Sequence, residues 1–283
     1  MENIKILLIG CGYWGKNWYK TIQNSNYQLA GVVDPFPVIE VNVPLFKNIE
    51  DVNVEYTHAI LATNASLHKD IVNKLNIPKE NILVEKPCGV NSTETIDLNF
   101  TFPGYIFLYS DEYQYIKNNL HQIGTPKYWK SIRASMGPRV RTDVSILEDY
   151  MIHDLYMYLD LFGECDIINY NYTNEFSPPV KNSSLNLSVK GKIPGSFYSS
   201  WHYPDKERKI IISGDKGSFI WVNDDLYFDS THYDLNNVVK NNERIKIESS
   251  PKSNLELELE FFIFNKRPSI NILTVWNLIN KLL

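Results

Sequence analysis

Cysteine is nearly missing from this chain: Cys11, Cys88 and Cys165 are the only three in 283 residues. So few thiols, odd in number and far apart, exclude a disulfide framework and fit a reducing compartment, so a cytoplasmic protein is expected. There is no excess of positive charge. The formal net charge is −5, and no Lys/Arg cluster is dense enough to form a nucleic-acid surface. No apolar run approaches the roughly 18 residues of a membrane span, so no membrane partner is expected. The chain opens on a strand-like run, not on a basic segment followed by an apolar one, so no signal peptide is expected. The six histidines show no HExxH spacing and there is no CxxC, so no metal site is expected. Repeats and low-complexity tracts are absent as well. The chain is 43% hydrophobic and 22% charged, the composition of a soluble globular protein long enough for two domains.

The most informative stretch is residues 4–34. Ile4-Lys-Ile-Leu-Leu-Ile9 leads directly into Gly10-Cys-Gly12-Tyr13-Trp14-Gly15, and a second apolar run, Leu29–Val33, ends in Asp34. The order is strand, glycine turn, helix, strand, acid. Such an order holds the pyrophosphate and adenosine ribose of a dinucleotide. Gly10 permits a tight turn, Gly12 has no side chain to hold off phosphates, and Gly15 lets the helix pack close to the strand. The helix then presents unpaired N–H groups and a positive dipole end to the phosphates. Asp34 lies 19 residues after Gly15, near the spacing of an acid that binds ribose hydroxyls. A carboxylate there would repel a 2′-phosphate, which favours NAD over NADP.

Beyond Asp34, Pro35, Pro37 and Pro44 argue against a full helix between 35 and 46. Tyr56–Ala62 and Asn81–Glu85 read as buried strands, with a helix over 64–76 between them. At most a short helix over 92–100 and a strand over Tyr105–Tyr109 complete an alternating pattern that implies a parallel sheet. Near residue 126 the pattern changes. A strand over 126–136 and a helix over about 147–162 precede strands at 166–174, 184–191, 195–203, 207–213, 217–222 and 225–229, which make an antiparallel sheet. Asn236-Asn237 and Asn241-Asn242 fall in a loop, and helices are expected over 254–264 and 269–283. The fold class is therefore α/β: a Rossmann-type doubly wound parallel sheet over 1–118, then an α+β domain over 119–283 with an open, mostly antiparallel sheet.

Three residue sets could carry chemistry. Glu85-Lys86-Pro87 lies at the carboxyl end of a parallel strand, where open α/β sheets bind ligands. A lysine there can hydrogen-bond a substrate oxygen and stabilise charge developing on it. In the helix over 147–162, Asp149, His153, Tyr156 and Asp160 would share a face. Imidazole exchanges protons near neutral pH, and a carboxylate one turn away could orient it. A solvated helix face and a surface lysine are the plainer readings of the same residues. The third set is aromatic: the chain has 18 Tyr and 6 Trp, and Trp201-His202-Tyr203 closes one strand, where a ring could stack on a sugar or simply fill the core. Arg139 and Arg141 could meet the phosphates of a nucleotide-linked substrate, or form a solvated basic loop.

Taken together, Gly10-x-Gly12-x-x-Gly15, Ala62-Thr63-Asn64-x-x-x-His68, Glu85-Lys86-Pro87 and Asp149-x-x-x-His153 resemble the Gfo/Idh/MocA oxidoreductase family. The resemblance runs from residue 4 almost to the end, with Gly214-Asp-Lys-Gly217 and Leu255–Phe261 also matching. It implies hydride transfer between NAD and a hydroxyl or keto carbon of a sugar. The segments around Arg139, His153 and Trp201 look most like members acting on nucleotide-linked sugars in surface-glycan synthesis. By this resemblance Lys86, His153 and Asp149 are the catalytic set. Gly10, Gly12, Tyr13, Trp14, Gly15, Asp34, Thr63, Asn64, His68, Glu85 and Lys86 line the cofactor, and Arg139, Tyr156 and Trp201 the substrate. A homodimer or homotetramer through the C-terminal sheet is implied too. The chain departs from the pattern in its trimmed segments after Asp34 and Pro87 and in Asn64, where the family has proline. A non-catalytic cofactor-binding relative and an NAD-using glycosidase are the alternative readings.

Overall fold

The computed structural model describes residues 4–89, 98–136, 144–174, 183–234, 236–240 and 243–282. The chain divides into two compact units, one of residues 1–109 with 252–276, the other of residues 110–251 with 277–283. The sequence reading instead put a single boundary at 118/119. Part of the difference comes from a late helix, Asn254–Ile263, which belongs to the first unit. Its Phe262 packs against His58 and Phe102, and its Phe261 against Tyr109. Aromatic burial of this kind outweighs chain order.

The first unit begins with β1 (Lys5–Ile9), α1 (Gly15–Gln23) and β2 (Gln28–Val33). There follow β3 (Leu45–Phe46), β4 (His58–Leu61), α2 (His68–Lys74), β5 (Ile82–Glu85) and β6 (Phe102–Gly104). The six strands run parallel in the order β3-β2-β1-β4-β5-β6. The order reverses between β1 and β4, and doubly wound sheets open a binding crevice at such a point. β1 is central and buried from Ile6 to Ile9, which is why it reads as a continuous apolar run. No helix forms between Asp34 and β3, as the prolines require. The segment is instead tied down by backbone bonds: Val38 N–H to the Cys11 carbonyl at 3.1 Å and Val32 N–H to the Pro44 carbonyl at 2.9 Å.

The last strand of this sheet is not where the sequence suggested. β6 is Phe102–Gly104, and the expected strand over Tyr105–Tyr109 is mostly a 3₁₀ turn, Ile106–Tyr109. A short apolar run cannot by itself distinguish strand from helix. Pro103 tolerates the sheet because β6 is an edge strand. Most of the helix expected over 92–100 lies outside the described residues.

The second unit starts with α3 (Asp111–Asn119), which the sequence reading missed. Its signal was there: Ser110 caps the helix by accepting the Tyr113 N–H, and Asp111 and Glu112 occupy the first turn. β7 (Pro126–Ala134) and α4 (Ile152–Phe162) follow, then β8 (Asp166–Thr173), β9 (Ser184–Lys190) and β10 (Pro194–Ser200). β11 (Glu207–Gly214), β12 (Ser218–Val222) and β13 (Asp225–Asp229) come next. β14 (His232–Tyr233) pairs with β15 (Val239–Lys240), and β16 (Arg244–Ile247) joins the edge of the large sheet. Asn241-Asn242, expected in a loop, lie outside the described residues. The eight-stranded order is β16-β13-β12-β11-β7-β10-β9-β8. Every pair is antiparallel except β7 with β10.

One face of this sheet is covered by α4. Trp129 and Phe197 pack there against Tyr158, and Trp129 also against Phe162. α4 is buried on nearly every side, so the solvated polar face considered from its sequence does not exist. The remaining helices are α5, the late helix of the first unit, and α6 (Ile272–Ile279).

Candidate active site

The glycine turn is dictated by space. Gly10 has φ +92°, and a Cβ on it would lie 2.6 Å from the Ala62 carbonyl oxygen. A Cβ on Gly15 would lie 2.0 Å from the Gly10 carbonyl oxygen, so α1 packs on the turn in a way only glycine permits. Gly12 differs: nothing lies within 4 Å of its would-be Cβ. Its lack of a side chain is not explained by packing, and it leaves open the place where a pyrophosphate would approach. No side chain caps the N-terminus of α1 and no acid lies in its first turn, so its amides are suited to an anion.

Asp34 is fixed beside that turn. Its Oδ2 accepts the Cys11 N–H at 2.6 Å and its Oδ1 the Phe36 N–H at 2.8 Å. Tyr13 is exposed, with the Lys16 ammonium 4.9 Å from its ring centroid. These features fit a dinucleotide, with Gly12 and the first turn of α1 holding the pyrophosphate and Asp34 the ribose.

After β4, Thr63 is half-buried and Asn64 exposed. His68, expected at the cofactor, is fully buried. Its Nε2 lies 3.2 Å from the Thr63 carbonyl, and burial pushes its pKa down to about 4 despite the carbonyls of Thr63 and Pro87 beside it. A neutral ring closed off in this way ties together the loops after β4 and β5 and offers nothing to a ligand.

Glu85 ends β5 at 6% exposure. Its Oε1 accepts the indole N–H groups of both Trp14 and Trp18, the latter at 2.6 Å. Its Oε2 accepts the Lys86 amide at 3.2 Å. Burial raises the Glu85 pKa, while the two indoles and the Lys86 charge pull it back. Lys86 is itself half-buried, and its bond to Pro87 is cis.

In the second unit, α4 is preceded by one turn of π-helix, Leu147–Met151, that carries Asp149. Wider turns of this kind concentrate at functional sites. The Trp201 indole N–H donates to Asp149 Oδ2 at 3.3 Å, and the Trp201 ring meets Tyr150 edge-on. The Tyr150 hydroxyl in turn lies 2.8 Å from Ser135 Oγ. His153 follows in the first turn of α4 at 8% exposure. Its neighbour Asp154 is held by Arg133, whose Nε and Nη2 donate to one carboxylate oxygen at 3.0 and 2.7 Å. Asp160 accepts from Tyr113 and Lys117.

Two expected substrate contacts do not face solvent. Tyr156 is fully buried and Trp201 is 3% exposed. Trp201 therefore acts on Asp149, a role the sequence did not reveal. Arg139 and Arg141 lie outside the described residues. Sequence reasoning also missed Trp18, Arg133 and Asp154, since nothing local marks a buried partner from another element. Among the described residues no cluster of His, Cys, Asp and Glu could hold a metal ion, and no helix is long and apolar enough to cross a membrane.

Comparison with known proteins starts from the first unit. Residues 4–99 match the Gfo/Idh/MocA family, described as "Oxidoreductase family, NAD-binding Rossmann fold". No curated protein matches the sequence. Solved structures share the fold along the whole chain. UDP-N-acetylglucosamine 3-dehydrogenase from Acidithiobacillus ferrooxidans is 18% identical with a TM-score of 0.78, covering 99% of this chain and 96% of its own. A myo-inositol dehydrogenase from Corynebacterium glutamicum is 18% identical with a TM-score of 0.76, covering 98% and 95%. An oxidoreductase from Agrobacterium radiobacter, in complex with NAD+, L-tartaric acid and magnesium, is 15% identical with a TM-score of 0.75, covering 98% and 94%. The first unit, with the glycine turn and fixed aspartate just described, is thus similar to the NAD-binding unit of the Gfo/Idh/MocA oxidoreductases over residues 4–99, and the whole chain shares their fold.

Proposed function

We propose that the protein is an NAD-dependent dehydrogenase or ketoreductase acting on a sugar, in particular a nucleotide-linked sugar of surface-glycan synthesis. The observation that carries the reading is the presence of Lys86, Asp149 and His153 together in a chain whose first unit matches the Gfo/Idh/MocA family and whose glycine turn is intact. A bound nicotinamide would supply the two-electron chemistry, accepting or giving a hydride. In the oxidative direction His153 takes the hydroxyl proton as that carbon gives up its hydride. Lys86 hydrogen-bonds a substrate oxygen and stabilises charge forming on it. Asp149 orients His153 and supports its charged form. In reduction His153 returns the proton.

NAD is preferred over NADP because Asp34 is held by two backbone amides and would face a 2′-phosphate as a fixed negative charge. The sugar assignment draws on the names of the UDP-N-acetylglucosamine and inositol dehydrogenases that share the fold. A cytoplasmic homodimer or homotetramer formed through the large sheet is part of the same proposal.

The test is turnover. Nicotinamide absorbance at 340 nm is followed with a panel of UDP- and other nucleotide-linked sugars and free polyols. His153→Asn and Lys86→Met should each bind NADH normally and lose about 10²–10⁴ in kcat, the range for a positioned acid–base group. Full activity in either variant ends the assignment. Bond cleavage without net NADH would point to the glycosidase alternative, and dinucleotide binding without turnover to a non-catalytic relative.

A further inference from the structure

Glu85 is the most heavily supported carboxylate of the first unit. Its support comes from a place the proposed chemistry does not use. Trp14 and Trp18 are one helical turn apart on α1, so their indoles lie on the same face. Both N–H groups converge on Oε1 of Glu85, and the Lys86 amide takes Oε2. Trp18 is fully buried, while Trp14, inside the glycine turn between Gly12 and Gly15, is 37% exposed. A buried carboxylate needs such donors to remain ionised.

The groups around Glu85 sharpen the point. Lys86 and Cys88 lie on its own strand end, and Glu258 approaches from α5. Glu258 is fully buried, and neither of its side-chain oxygens has a hydrogen-bond partner among the described residues. Burial and the charge of Glu85 raise the Glu258 pKa well above the usual range, and the hydrogen-bond donors of the pair all converge on Glu85. The indoles therefore favour negative charge on Glu85 over Glu258.

We propose that Trp14 and Trp18 are positioning residues for Lys86, acting through Glu85, so that the helix offered to the dinucleotide phosphates and the lysine offered to the substrate are held by one carboxylate. The role of Lys86 rests on the function proposed above; the coupling of α1 to the Lys86 backbone does not.

The experiment uses Trp14→Phe and Trp18→Phe, which keep an aromatic ring and remove the donor. Hydrogen–deuterium exchange of the segment 82–88 is read in the protein without ligand, and the Kd for NADH is read by calorimetry from pH 5 to 9. Each variant should speed exchange at the Lys86 amide tenfold or more. Each should also move the acid limb of NADH binding to higher pH, because Glu85 without an indole takes up its proton sooner. Glu258→Gln, which removes no hydrogen-bond donor from Glu85, should leave the limb in place. Unchanged exchange and an unchanged limb in the tryptophan variants would overturn the proposal, as would a limb that moves only in Glu258→Gln. Should Trp18→Phe fail to fold, Trp14→Phe, with its ring partly in solvent, decides. Active Lys86→Met together with altered exchange in the tryptophan variants would remove the catalytic reading and leave the coupling intact.

Discussion

Each unit places at least one indole N–H on a carboxylate within four residues of a residue proposed to act on the substrate, but the settings differ. In the first unit Glu85 is buried at the end of a parallel strand, with two indoles and an amide on it and a second acid, Glu258, nearby. In the second, Asp149 sits on a π-turn, partly exposed, with Trp201 at the longer distance of 3.3 Å. Water can share the work at Asp149 and cannot at Glu85. The same donor should therefore matter more in the first unit, since an unpaired charge costs more where water cannot replace its partner.

The largest effects should come from backbone and charge that have no room to adjust. Gly15→Ala drives a Cβ into the Gly10 carbonyl and should destabilise the first unit by ~4 kcal/mol or more, the range of severe overpacking or strain. Gly12→Ala, with open space around it, should melt within a degree or two of the parent yet lose NADH affinity in calorimetry. Equal melting of the two variants would break the contrast. In the second unit Arg133→Met strands Asp154 in the core and should cost ~3–5 kcal/mol in urea unfolding. The double variant with Asp154→Leu should recover most of that loss.

A smaller effect is expected at Glu258. Its folded pKa is raised by burial first and by Glu85 second. Its contribution to stability is thus complete below the unfolded carboxyl range, near ~4.3, and is lost as pH rises toward the folded value. Glu258→Gln should match the parent's melting temperature near pH 4.5 and exceed it by several degrees at pH 8. A constant difference across that range would show that Glu258 does not titrate differently on folding. The smallest effect belongs to Trp201→Phe, at ~1 kcal/mol of stability. Its signature should be a modest shift in the pH profile of kcat/KM.

Much of the first unit was legible because its constraints are local. The glycine turn, the strand-acid sequence at Val33-Asp34 and the prolines that forbid a helix before Leu45 all act within a few residues. The alternating strands of the second unit were legible for the same reason, through their turns and period. Legibility failed where an apolar run was short, as at Tyr105–Tyr109, and where a side chain's partner came from another element. His68 read as a ligand contact and is a buried strut; Trp201 read as a sugar platform and donates to Asp149. Asp149 and His153 were read as one face of a regular helix, yet a π-turn separates the start of α4 from the chain before it.

The sequence by itself determined the glycine turn, the parallel-then-antiparallel order and the identity of the groups able to move a proton or hold an oxygen. Those follow from backbone sterics and from side-chain chemistry, which each residue carries wherever it is placed. Only the tertiary structure decided which carboxyl receives the hydrogen-bond donors, which aromatic rings are walls and which are donors, and that a helix near the C-terminus completes the first unit. Those outcomes depend on burial, and burial is a property of what packs around a residue, not of the residue.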